Sequence, residues 1–232
     1  MIDVHTHILP FVDDGAKDME SALSMLKDEE ANEVSDVFLT PHYMPYRHYT
    51  STYQENKVVF DKLLAAKEKA KISVNIHLGN EIYYSLDALH LLQKGTLVSL
   101  GESDKVLIEF SMDRMEDDPA EAVHNIKAAG FTPIIAHVER YPYLNHFHDL
   151  PILKKMGAMI QVNASPIIGK SKHGNHKLVV KLIKKGLVDM VASDVHAFRT
   201  NHMLEASRYV EKKFGADMRD RLFSNPSIFK KK

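Results

Sequence analysis

Two histidines, His5 and His7, stand at the end of the first apolar run of the chain, in Met1-Ile-Asp-Val-His-Thr-His. Neutral imidazole is a common metal ligand. In a strand, residues i and i+2 point to the same side, so the pair can grip one ion together. The pattern returns near the other end of the chain as Asp194-Val-His196. Between these, His42 ends Phe38-Leu-Thr-Pro-His, Glu81 closes Leu78-Gly-Asn-Glu, Glu109 lies near the end of Val106-Leu-Ile-Glu-Phe, and His137 ends Ile134-Ile-Ala-His. With no cysteine in the sequence, any metal must be held by nitrogen and oxygen, a set that suits Zn, Mn or Fe. A carboxylate such as Glu109 can bridge neighbouring ions. Two ions roughly 3.5–4 Å apart can activate a water and stabilise charge on a phosphoryl group. One buried histidine is more often a satisfied polar residue than a ligand, and His-x-His alone says little. Polar groups ending successive apolar runs say more, because burying them unpaired costs free energy.

The elements that must position these residues alternate along the chain. Strand-like runs are Ile2–His7, Asp36–His42, Val74–Ile82, Val106–Phe110, Pro133–Val138, Met159–Ala164 and Met190–His196. Helical periodicity lies between them: Met19, Leu23 and Leu26 share a face, as do Phe60, Leu63 and Leu64, then Val123 and Ile126, then Leu178, Val179, Leu182 and Ile183. Gly130, Gly157 and Gly186 each stand just ahead of the next apolar run, where a helix stop belongs. Such alternation predicts an α/β fold with parallel strands, either an open sheet or a barrel. In a barrel the C-terminal strand ends open onto one face, so residues scattered through the sequence converge there. No Gly-x-Gly-x-x-Gly or P-loop pattern follows any strand, which argues against the nucleotide-binding open sheet.

Bulk properties set the limits. A length of 232 residues suits one domain, 1–232, without linker or repeat. The net charge of -1 offers no global basic field for nucleic acid. No apolar run approaches the roughly 20 residues that span a bilayer, and Asp3, His5 and His7 interrupt any signal-peptide core. The expectation is a soluble cytoplasmic protein. Of its 14 histidines, His48, His77, His90, His124, His146, His148, His173, His176 and His202 lie in loops, on helices or away from strand ends and read as solvated or locally bonded. His173 and His202 alone of these could reach the mouth of a site. Lys230–Lys232 reads as a solvated tail.

The string Met1-Ile-Asp-Val-His-Thr-His-Ile-Leu-Pro followed by Val12-Asp-Asp-Gly resembles the start of the polymerase and histidinol phosphatase (PHP) superfamily. Within it the chain is similar to bacterial manganese-dependent protein-tyrosine phosphatases of capsule and exopolysaccharide loci. The similarity continues through Leu39-Thr-Pro-His42, Gly79-Asn-Glu81, Glu109-Phe, Ala136-His-Val-Glu-Arg140-Tyr and Ala192-Ser-Asp-Val-His196. The resemblance implies a distorted parallel (β/α)7 TIM-like barrel. It also implies three divalent ions, Mn first with Fe or Zn as alternatives, held by His5, His7, Asp14, His42, Glu81, Glu109, His137, Asp194 and His196. Asp14 enters only through the resemblance, since Asp13 and Asp14 otherwise read as turn or cap residues. Arg140 and Arg199 carry over as phosphate-gripping groups, the fork of a guanidinium matching a phosphate dianion. The resemblance also implies a phosphotyrosine protein substrate, a bacterial tyrosine kinase, and leaves a homo-oligomer open. Two departures stand out. Phe11 occupies a position where the family pattern has glycine, and placing Arg199 requires a shorter loop after His196.

The mechanism expected is direct attack on phosphorus by a metal-bound hydroxide, because without cysteine the thiolate route is closed. Arg140 and Arg199 would neutralise the equatorial oxygens, and His42 could assist a poorer leaving group. Tyr43-Met-Pro-Tyr-Arg-His-Tyr reads as a wall for an aromatic phosphoester, a protein-contact surface, or equally a plain surface loop. The rival readings are histidinol-phosphate phosphatase, a metal-dependent deoxyribonuclease, and a non-enzymatic metal-stabilised scaffold.

Overall fold

The computed structural model describes residues 1–172 and 174–229; His173 and the tail Lys230–Lys232 lie outside the described residues. Strand β1 (Ile2–Thr6) is buried on both faces, as expected where helices cover a parallel sheet. It pairs with β2 (Asp36–Leu39), and β2 with β4 (Asn75–Leu78). A second parallel ladder runs β3 (His42–Tyr43), β5 (Glu81–Tyr83), β6 (Lys105–Glu109), β7 (Thr132–Ile135), β8 (Met159–Asn163) and β9 (Met190–Ala192). Two of the predicted strands are thus each broken in two. Pro41 has no N–H to offer the ladder, and the Gly79-Asn80 step bends the next strand at the same level. A Cβ on Gly79 would lie 2.6 Å from Leu100 Cδ2 and 3.3 Å from Leu100 Cα, so any larger residue would push that fully buried leucine aside. The hydrogen bonds nevertheless cross both bends, from Gly79 N to Leu39 O and from Glu81 N to Pro41 O. At the other edge His7 N donates to Val195 O and Asp194 N to His5 O. The sheet is parallel throughout and curled.

Helices fill the connections: α1 (Met19–Ala31), α2 (Tyr53–Lys69), α3 (Leu86–Gln93), α4 (Pro119–Ala128), α5 (His146–Lys155), α6 (Ala164–Ile167), α7 (His176–Lys184), α8 (Met203–Phe214) and α9 (Ala216–Phe223). Capping boxes at Asp18/Ser21 and Thr52/Glu55 start α1 and α2. The predicted stops hold, with Gly130, Gly157 and Gly186 in the left-handed region at φ 93°, 100° and 70°. One core lies between sheet and helices. A smaller one, including Val4, Phe38, Leu107, Ile134 and Ala192, fills the inside of the curl. No helix among the described residues is long and apolar enough to cross a membrane.

Candidate metal centre

The site is built at the C-terminal ends of β1 and β6, at the bends where His42 and Glu81 open β3 and β5, and in the loops after β7 and β9. In β1 the ladder pairs Asp3 with Val37 and Thr6 with Leu39, a register irregularity of the kind that re-aims side chains. Val4 accordingly joins the inner core while His5 meets the site. The last pair differs from the sequence expectation. β9 ends at Ala192 and Asp194 has φ 50°, so Asp194 and His196 do not ride on a strand. A loop brings them together instead, with His196 Nδ1 3.5 Å from Asp194 Oδ1. His137 likewise leaves β7, turning at φ 32° into the short 3-10 turn Val138–Arg140.

Ligand atoms about 2.1 Å from one ion, in tetrahedral or octahedral arrangement, lie roughly 3–3.5 Å from each other. His5 Nε2, His7 Nε2 and Glu81 Oε2 meet this spacing at 3.1–3.2 Å. Asp194 Oδ1 approaches the two imidazoles to 3.7 and 3.6 Å. In a second group His137 Nε2 is 3.0 Å from Glu81 Oε1 and 3.4 Å from Glu109 Oε1. His42 Nδ1 is 2.9 Å from Glu81 Oε2 and 3.7 Å from Glu109 Oε2. At the mouth, half-exposed Asp14 places Oδ1 3.4 Å from His196 Nε2 and 3.7 Å from His42 Nε2. All the sequence-named candidate ligands therefore come together. Glu81 faces two groups at once, and Glu109 likewise turns one oxygen towards His137 and the other towards His42.

The donor set fits divalent cations. Glu81 Oε2, Glu109 Oε2, His42 Nδ1 and His137 Nδ1 are buried without a hydrogen-bond partner, an unfavourable state unless a cation satisfies the oxygens. The electrostatics agree. Burial would raise the Glu81 carboxyl, yet His5, His42 and His137 around it hold it well below the carboxylate range. Asp194 is also held low: its burial is outweighed by His5, Arg199 and His196. His137 is pushed up to about 9; against its burial stand Glu109 and Glu81. Burial and then the neighbouring His7 lower His196.

Three positioning residues escaped the sequence reading. Asp13 Oδ2 accepts from His7 Nδ1 at 2.8 Å and from His42 N at 2.9 Å, and Oδ1 accepts from Gly15 N. This leaves His7 Nε2 for a cation, the usual second partner of a ligating histidine. Gly15 is required there, since a Cβ would meet His7 O at 1.9 Å. Gln161 Oε1 accepts from His137 N at 2.7 Å and lies 3.3 Å from His5 Nδ1; its amide donates to Asn163 Oδ1. Asn163 Nδ2 donates to Asp194 Oδ2 at 2.8 Å. The i, i+2 spacing of two amides inside the apolar run Met159-Ile-Gln-Val-Asn was the available signal.

Arg140 and Arg199 both reach the rim, and both donate to Asp194 Oδ2, at 3.2 and 2.7 Å. With Met44, Tyr46, Arg47, Phe110 and Met112 they border a cavity of about 410 Å³ over the ligand cluster. The aromatic-cationic segment thus forms part of its wall. Tyr49 stacks on His42 and Tyr46 packs edge-on against Tyr83. Among the other described histidines, His77 bonds Asp36, His146 Val138 O and His176 Pro166 O. His202 lines a neighbouring cavity.

A curled parallel α/β sheet carrying a histidine-carboxylate cluster at its strand ends defines a metallohydrolase type of site. The chain belongs to the family described as "Capsular polysaccharide synthesis, CpsB/CapC", which matches residues 1–229. It is 34% identical over 238 residues to tyrosine-protein phosphatase CpsB of Streptococcus pneumoniae, covering 97% of this chain and 96% of that one. Tyrosine-protein phosphatase YwqE of Bacillus subtilis is 28% identical over 233 residues, covering 98% and 91%. A crystal structure from work on YwqE and CpsB, described as unique metal-dependent tyrosine phosphatases, superposes with a TM-score of 0.87 at 28% identity, covering 94% of this chain and 90% of that one. Histidinol phosphate phosphatase of Lactococcus lactis shares the fold alone, at 13% identity and a TM-score of 0.56 over 91% of this chain and 93% of that one.

Proposed function

We propose that this chain is a metal-dependent protein-tyrosine phosphatase that hydrolyses phosphotyrosine on a bacterial tyrosine kinase of capsule or exopolysaccharide synthesis. The observation that carries the reading is Glu81, whose two oxygens face two groups of ligand atoms at ion-holding spacing beneath paired arginines. In this reading residues 1–232 form one cytoplasmic domain, a distorted (β/α)7 barrel in which β2 with β3, and β4 with β5, each count as one bent strand. His5, His7, Glu81 and Asp194 would hold one ion, Glu81, Glu109 and His137 a second, and Asp14, His42 and His196 a third, with manganese the first choice. Bound divalent ions would supply a water acidic enough to attack at neutral pH and screen the phosphoryl charge.

The residues of the chain do the rest. Arg140 and Arg199 grip the equatorial oxygens, turning part of their hydrogen bonding from Asp194 to the phosphate. Asp13 and Gln161 keep the Nε2 atoms of His7 and His5 turned inward. A phenolate leaves with little help from a general acid, and the assistance of His42 to a poorer leaving group is open only while its imidazole is not holding an ion. Met44, Tyr46 and Met112 give the aromatic ring an apolar wall. Manganese-loaded protein should release phosphate from a phosphotyrosine peptide faster than from histidinol phosphate, and should leave single-stranded DNA intact. Failure to release phosphate from the peptide would sink this reading, and preference for either other substrate would select the corresponding rival.

A further inference from the structure

A second cavity, of about 480 Å³, adjoins the metal centre. Arg140, Asp194 and Arg199 border both cavities, so the partition between them is one layer of side chains. On the far side Lys170 and Lys172 close the second cavity, and both are exposed. Four cations thus surround it. The acids nearby are already engaged: Asp194 Oδ2 takes both guanidiniums and Asn163, while Glu205 pairs with Lys170 at 2.8 Å and lies 3.4 Å from His202. The lining carries four cations against the one carboxylate of Asp194, and the hydroxyls of Ser165, Ser193 and Thr200 and the amide of Asn163 lie among them. Phe198, 71% exposed, forms the lip, with the Arg199 guanidinium 5.4 Å from its ring centroid.

We propose that this cavity is an anion subsite that reads an acidic side chain, or a second phosphate, on the same polypeptide that presents its phosphotyrosine to the metal centre. This rests on the phosphatase reading above. Each guanidinium has five N–H donors in a planar fork. Each directs NH1 at Asp194, so donors remain for anions on either side of the partition. Adjacent sites sharing one wall suit two groups only a few residues apart in an extended peptide, at ~3.3–3.6 Å per residue. The lysines stand on flexible stems at the surface, where they attract charge without demanding one geometry.

The test compares phosphotyrosine peptides identical except for one flanking residue: alanine, glutamate, lysine or a second phosphotyrosine. Glutamate or the second phosphotyrosine should lower KM about two- to fivefold relative to alanine, the size of an exposed ion pair, and lysine should raise it. A gain with glutamate assigns carboxylate as the ligand; a gain confined to the second phosphotyrosine assigns phosphate. In Lys172→Glu, and more strongly in Lys170→Glu/Lys172→Glu, the preference should invert towards the lysine peptide. Turnover of p-nitrophenyl phosphate, too small to reach the second cavity, should not change. Equal KM for all four peptides overturns the proposal, as does an acidic preference that survives the charge reversal. No turnover of any peptide is a separate result and overturns the phosphatase reading instead.

Discussion

Replacing Gln161 with leucine should loosen the metal centre without touching a ligand. Its side-chain oxygen serves His137 N at 2.7 Å and faces His5 Nδ1 at 3.3 Å, and its amide holds Asn163, which holds Asp194. Leucine keeps most of the volume but leaves a buried backbone N–H and the Asn163 carbonyl unpaired. Each orphaned group costs about 1–3 kcal/mol, so folding stability should fall by roughly 2–6 kcal/mol. The His5 tautomer is no longer fixed, and Asp194 loses an oriented donor. Loss of such supporting partners weakens metal affinity by about 10–100-fold. Gln161→Glu separates the two effects: it keeps an acceptor for His137 and His5 but cannot donate to Asn163. Calorimetric titration of chelator-treated protein with Mn, together with metal analysis after dialysis, would measure the affinity. The expected order is wild type tightest, Gln161→Glu intermediate and Gln161→Leu weakest. Wild-type affinity in Gln161→Leu would refute the reasoning that this chain of amides presets the site.

Asp194→Ala removes a proposed ligand atom and the shared acceptor of Arg140, Arg199 and Asn163, so kcat should fall by at least about 100-fold in a protein that still folds; an unchanged rate would favour the scaffold alternative. Glu29 is fully buried on α1 with neither oxygen hydrogen-bonded, and burial followed by the nearby Asp3 charge holds its carboxyl well above the ordinary 4.5. The native state then keeps a proton that the unfolded chain gives up, so this contribution to stability is complete below about pH 4.5 and is lost as pH rises towards the raised folded value. Glu29→Gln should flatten the alkaline side of the Tm-versus-pH curve relative to wild type, and parallel curves would contradict it. Phe11 is 66% exposed at φ 69°, a left-handed backbone that costs a bulky residue about 1–2 kcal/mol. Phe11→Gly should raise Tm by about 2–8 °C in a scan of the metal-loaded protein, and a lower Tm would show that the ring contributes more than the strain costs.

Eight of the nine clustered side chains were legible in the sequence because each interrupts or closely follows an apolar run, and such interruptions are expensive unless compensated. Asp14 was not readable this way; it sits half-exposed in a loop, where an aspartate needs no special reason. Asp13 was hidden by the same ordinariness, although it binds two histidine-bearing segments together. Gln161 and Asn163 were overlooked because amides inside a strand read as mere polar breaks rather than as struts between ligands. The strand alternation gave the parallel α/β class. The bends at Pro41 and Gly79 depend on contacts with Leu100 and with neighbouring strands, which no local pattern reports. The left-handed turns at His137 and Asp194 use residue types that tolerate that conformation, but no local pattern places the turns there. Phe11 is the converse case: its left-handed backbone is one that the glycine implied there by the resemblance would adopt without strain.

The two rim arginines are not idle before substrate arrives. Both donate to Asp194 Oδ2, so under the proposed function this carboxylate is, in the language of inhibition kinetics, a tethered competitor for the phosphate. Being covalently attached, it acts at a fixed effective concentration that no dilution can lower. A singly charged anion offers the guanidiniums little that Asp194 does not already provide, whereas a phosphate dianion, aided by cations beneath it, offers more. The same rival reclaims the arginines once the ester is cleaved, which favours departure of inorganic phosphate. Asp194 would thus act as both ligand and gatekeeper, and product inhibition by phosphate should be weaker than two unencumbered arginines would allow.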